Sequence, residues 1–88
     1  MGALKKISEN TAEIKRMRVK PAFQGRGFGR EMLMKLESVA SQRGLYRILL
    51  DTSTLQSAAI SLYRKHGYKE IGRGKIRDLD ILYFEKYL

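Results

Sequence analysis

Three glycines alternate in the stretch QGRGFGREML, at Gly25, Gly27 and Gly29. Upstream, the strand pattern AEIKRMRV stops at Pro21, which has no N–H to give to a ladder. Downstream, Phe28, Met32, Leu33, Leu36, Val39 and Ala40 recur at helical spacing. The chain must therefore pass from strand to helix through backbone that carries few side chains. The first turn of a helix has unpaired N–H groups and the positive end of the dipole, which together attract an anion. Glycine lets the backbone curl and lets a ligand come close. Arg26 and Arg30 add charge beside it. A tight turn with no ligand is the alternative reading. The P-loop string G-x-x-x-x-G-K-[ST] does not occur, and the dinucleotide pattern G-x-G-x-x-G fails because Arg30 stands at its last position. What remains is Q-x-x-G-x-G, running from Gln24 through Gly27 to Gly29.

The segments around this loop set the fold class. ALKKI and AEIKRMRV read as two strands of a hairpin turned by Ser8-Glu9-Asn10-Thr11. Alternation puts Ala12, Ile14, Arg16 and Arg18 on one side of the second strand, and Glu13, Lys15, Met17 and Val19 on the other. Neither side is cleanly apolar. The spacing predicts a helix over about 27–42, with Gly44 as its cap. LYRILLD, residues 45–51, reads as a buried strand. TSTLQ offers N-caps for a second helix whose stripe is Leu55, Ala58, Ala59, Leu62 and Tyr63, ended by Gly67. YKEIG and DILYFEKYL read as closing strands joined by a basic connection over 73–78. The order ββαβαββ predicts an α/β (α+β) chain with a mixed sheet and at least one right-handed crossover. At 88 residues, one domain spanning 1–88 is expected.

Composition narrows the partners. Eighteen Lys and Arg against nine Asp and Glu give a net charge of +9, which favours phosphate-bearing partners. Nucleic acid, anionic lipid and a polyphosphate cofactor are the candidates, and the basic residues are spread along the chain without a run of five, so a basic arm or tail is not expected. There is no cysteine and a single histidine, so no metal site is expected. No apolar run approaches the roughly 18 residues of a membrane span, and MGALKKISEN lacks the apolar core of a signal peptide. No membrane partner and a cytoplasmic location are the expectations.

With AEIKRMRV before it, QGRGFGREML resembles the acetyl-CoA-binding core of the GNAT superfamily of N-acetyltransferases. LQSAAISLYRKHGYKEIG is similar to the family's later helix-to-strand segment, in the same order and at βαβα spacing. The resemblance covers about residues 3–88 and implies the GNAT-like acyl-CoA N-acyltransferase fold. It implies acetyl-CoA (coenzyme A) as co-substrate, with its pyrophosphate on the backbone amides of Gln24, Gly25, Arg26, Gly27, Phe28, Gly29 and Arg30. It implies that the pantetheine arm pairs with backbone at Arg18 and Val19, in a cleft between that strand and the next parallel one. The implied reaction is direct attack of a primary amine on the acetyl group. It implies oxyanion stabilisation by backbone N–H near Val19 and Tyr63 as the acid for the leaving thiolate. A phenol with an ordinary pKa near 10 keeps its proton at neutral pH. From periodicity alone, Tyr63 reads as a core aromatic. Glu13, eleven residues before Gln24, aligns with the strand glutamate that serves as base in one branch of the family; the plainer reading pairs it with Lys15 or Lys5. Gln56 stands where the family often has an Asn that contacts the cofactor arm. His66 is either a base or a dipole-stabilised helix-end histidine.

A typical member of the family has a strand, two helices and another strand before this hairpin. Relative to it the fold is truncated at the N-terminus and much of the acceptor wall is missing. The open edge of the first strand predicts a homodimer by edge pairing or strand exchange. The function expected is acetyl-CoA-dependent N-acetyl transfer to an amine of unknown identity. A CoA-binding module without catalysis and a basic nucleic-acid-binding domain are the alternatives.

Overall fold

The computed structural model describes residues 3–15 and 28–88. They form strands β1 (Ala3–Lys6) and β2 (Thr11–Lys15), helix α1 (Phe28–Gln42), strand β3 (Arg47–Ser53), helix α2 (Ser57–Lys65), and strands β4 (Lys69–Ile76) and β5 (Leu79–Tyr87). The strands make one mixed sheet in the order β1-β2-β3-β5-β4. β2 and β3 run parallel, in register from Thr11↔Arg47 to Ile14↔Leu50. β5 is antiparallel to both β3 and β4. The ββαβαββ order and the mixed sheet are those that the sequence predicts.

Alternation along each strand separates two faces. Ala12, Ile14, Ile48, Leu50, Leu82 and Phe84 are buried with Leu33 and Ala40 of α1 and Tyr63 of α2. Glu37 of α1 bonds Lys86, and the Tyr63 ring lies 6.0 Å from that of Phe84, so both helices cover the same face. That agrees with two right-handed crossovers made in the same direction. The intervening residues Glu13, Leu49, Asp51, Tyr83 and Glu85 point to the other face. No helix among the described residues lies over it.

Both helices end in the same way. Gly44 and Gly67 have φ of 75° and 88°, a region where a side chain is strained. The N–H of Leu45 bonds the Ala40 carbonyl at 2.9 Å, and that of Tyr68 bonds the Tyr63 carbonyl at 3.0 Å. Leu45 and Tyr68 are themselves buried, the apolar contact that accompanies this cap.

Three boundaries differ from expectation. The strand expected at 45–51 is Arg47–Ser53, because the cap takes Leu45 and the N–H groups of Tyr46 and Arg47 both bond the Asn10 carbonyl. The connection expected over 73–78 is mostly strand, and only Arg77 and Asp78 turn, with Arg77 at φ 57°. Gly72 and Gly74 stay in the ladder opposite Tyr83 and Ile81, after a bulge between Glu70 and Gly72. No Ser or Thr of TSTLQ caps α2; its N-cap is Gln56, without a side-chain hydrogen bond.

Candidate active site

In an open α/β sheet, ligands gather beyond the carboxyl ends of parallel strands. Here those ends belong to β2 and β3. α1 returns the chain to the start of β3, and its 15 residues span about 22 Å, close to the length of the strand. Its N-terminus, Phe28-Gly29-Arg30, therefore lies at the carboxyl end of the parallel pair. Arg30 is exposed and Gly29 half-buried there. The N-cap of α2, Gln56, follows β3 at the same end. Beyond Leu50, β3 continues through Asp51, Thr52 and Ser53 on β5 alone among the described residues.

On the face opposite the helices, a cavity of about 240 Å³ opens among Glu13, Leu49, Asp51, Ile71 and Tyr83. β2 supplies Glu13, half-buried and paired with Lys15 at 3.2 Å. β3 supplies Asp51. Its carboxyl pKa is raised, mainly by lost hydration and next by the negative charge of Glu13, while Lys15 opposes the shift. Tyr83 comes from β5. Its ring lies against Gly74, where a Cβ would meet the ring at 3.2 Å, so that glycine leaves room for the ring to lie along the sheet.

Tyr63 is on the covered face. It is 4% exposed, and its ring packs at tilted angles against Tyr68 at 5.9 Å and Phe84 at 6.0 Å. Burial raises its phenol pKa, and the charge of Asp51 adds to the shift. Both effects keep the proton on the oxygen. His66 is the C-cap of α2, its backbone N–H shared between the carbonyls of Leu62 and Tyr63. Its Nε2 is buried without a partner among the described residues.

Of the residues singled out in the sequence, Glu13 lines the cavity, Tyr63 is a core aromatic within reach of the charge of Asp51, and Phe28, Gly29, Arg30 and Gln56 begin the two helices. Arg18, Val19, Gln24, Gly25, Arg26 and Gly27 lie outside the described residues. Sequence reasoning missed Asp51 and Tyr83. A charged residue ending the apolar run ILLD, at the carboxyl end of a central strand, was the signal for the first. Nothing local marks Tyr83. A carboxylate hub was also missed: Glu37 accepts from the Tyr68 hydroxyl at 2.8 Å and from Lys86 Nζ at 3.1 Å, which ties α1, the end of α2 and β5 together.

Residues 1–68 match the model of the acetyltransferase (GNAT) family. The chain is 42% identical over 60 residues to the IAA acetyltransferase of Azospirillum brasilense, covering 68% of this chain and 39% of that protein. Its fold superposes on Ard1 from Thermoplasma volcanium with a TM-score of 0.91 at 18% identity, covering 99% of this chain and 61% of that one. It superposes equally fully on a GNAT family acetyltransferase from Elizabethkingia anophelis with acetyl-CoA bound, at a TM-score of 0.84 and 19% identity, covering 67% of that chain. This chain thus spans about two-fifths of the curated relative it matches. A family match over residues 1–68, on a sheet with the same course, settles its kinship: the chain belongs to the GNAT acetyltransferase family.

Proposed function

We propose that this chain transfers the acetyl group of acetyl-CoA to a primary amine, and that residues 1–88 act as one domain in doing so. The observation that carries the reading is the buried Tyr63 phenol, held protonated by burial and by Asp51. Acetyl-CoA, when bound, supplies an activated acetyl group as a thioester. The start of α1 suits an anion: the first-turn amides of Phe28, Gly29 and Arg30 have no intrahelical acceptor and carry the positive end of the helix dipole. In this reading the amides of Gln24–Arg30 hold the pyrophosphate, backbone at Arg18 and Val19 pairs with the arm, and Gln56 flanks it. Tyr63 gives its proton to the departing thiolate. Glu13 takes the amine proton, directly or through water. The edge of β1, which pairs with no strand other than β2 among the described residues, supports a homodimer, because an unpaired strand edge invites pairing. A cytoplasmic place for the reaction belongs to the same proposal.

The test is Tyr63→Phe. Loss of a positioned acid costs about 10²-fold or more in turnover, so kcat falls by that factor while KM for acetyl-CoA holds. An unchanged kcat removes Tyr63 from the chemistry. The open sheet face favours a second reading, a CoA-binding module without transfer. Calorimetric binding of acetyl-CoA with no thiol release across a panel of amines would establish it.

A further inference from the structure

The cavity on the open face has a chemistry that the family match leaves unassigned. The chain carries +9 net charge, yet among the described residues the lining of this cavity holds two carboxylates and no Lys or Arg. The remaining walls are apolar or aromatic: Leu49, Ile71 and the flank of Tyr83. Glu13 is paired with Lys15 at 3.2 Å, whereas Asp51 feels that lysine only at longer range and forms no salt bridge among the described residues, so Asp51 is the carboxylate more available to a visitor. Gly74 leaves room for the Tyr83 ring, since a Cβ there would meet it at 3.2 Å.

We propose that this cavity selects an organic ammonium ion with an apolar or aromatic body, with Asp51 binding the ammonium and Tyr83 and Leu49 binding the body. Asp51 is then a specificity-determining residue for the acceptor, and anionic acceptors are turned away. The raised pKa of Asp51 fits this role, because a cation relieves the cost that burial and Glu13 place on its charge. An aromatic wall beside a carboxylate adds cation–π attraction to the ion pair. The inference deepens the acetyl-transfer proposal and rests on it for the fate of the amine, while the binding stands by itself.

The experiment is an NMR titration of the full chain with phenethylamine, with ethylamine and 3-phenylpropionate as controls and no acyl donor present. Phenethylamine should shift the amide signals of Leu49, Asp51 and Tyr83, and bind at least about tenfold more tightly than either control, the scale of one charge-assisted hydrogen bond. Asp51→Asn should weaken it about tenfold, and Asp80→Asn, on an exposed aspartate outside the cavity, should leave it unchanged. Equal binding of 3-phenylpropionate, or of phenethylamine to the Asp51→Asn protein, overturns the proposal. A parallel thiol-release assay with acetyl-CoA separates the two claims. Binding that follows this pattern without thiol release upholds the site and removes the transfer reading. Thiol release to other amines without phenethylamine binding removes the site and keeps the transfer reading.

Discussion

Phe84 and Glu85 are neighbours on β5 and look out from opposite faces of the sheet. Phe84 is 0% exposed, among Tyr63, Leu50 and the helices. Glu85 is partly solvated and holds Arg47 at 2.6 Å, while Arg47 in turn lies over the Tyr87 ring at 5.9 Å. The covered face is organised by packing, where lost volume is felt directly. The open face is organised by ion pairs and by the stacked rings of Tyr46 and Tyr87, and water competes for the ion pairs. It is on this second face that the cavity with Glu13 and Asp51 lies. The packed core and the cavity thus occupy opposite sides of one sheet, and single substitutions can weigh them separately.

The largest effect belongs to Phe84→Ala, which should cost about 3–5 kcal/mol by denaturant unfolding. For a chain of this size that approaches the whole margin of stability. A loss below about 1 kcal/mol would mean the covered face tolerates a cavity and the contrast fails. Next comes Glu37→Ala, which strands the Tyr68 hydroxyl and Lys86 together, at about 1–3 kcal/mol. Glu85→Gln, on the open face, should cost less than about 1 kcal/mol. A loss matching that of Phe84→Ala would show the open face to be covered in solution.

The smallest effect has the opposite sign. The carboxyl of Asp51 titrates higher in the fold than in the unfolded chain, so the native state binds the extra proton between the two values. Stability from this group is therefore greatest below the unfolded value of about 3.9 and falls as pH rises through the raised native value. Asp51→Asn should raise the unfolding temperature slightly at neutral pH and leave it unchanged in acid. Thermal scans at both pH values check this. A drop at neutral pH would mean Asp51 is held by a stabilising partner.

Much of the covered side was legible in the sequence. Helical spacing located α1, and Gly44 and Gly67 marked helix ends because only glycine takes those φ values at no cost. The strand-to-helix glycines and Tyr63 gave the family. What the sequence hid depends on contacts across distance. Tyr68 and Glu37 are 31 residues apart, and Lys86 and Glu37 are 49 apart, so no local pattern joins them. The cavity draws on β2, β3, β4 and β5, and its pairing of Asp51 with Tyr83 exists only once β5 lies beside β3. The extension of β4 to Ile76 was hidden for the opposite reason. Gly72 and Gly74 signal a turn locally, and the ladder with β5 overrides them.

The place of β5 has a consequence for the order of assembly. It comes last in sequence among the described strands, yet it sits between β3 and β4, pairing with both. Until Leu79–Tyr87 has left the ribosome, β4 has no neighbour and β3 has one open side. At about 5–20 residues per second the hairpin, α1 and β3 wait on the order of seconds with that side bare. This sheet is therefore completed by insertion rather than by addition, and a stop codon before Leu79 would leave β4 apart from the β1-β2-β3 group instead of making a shorter sheet.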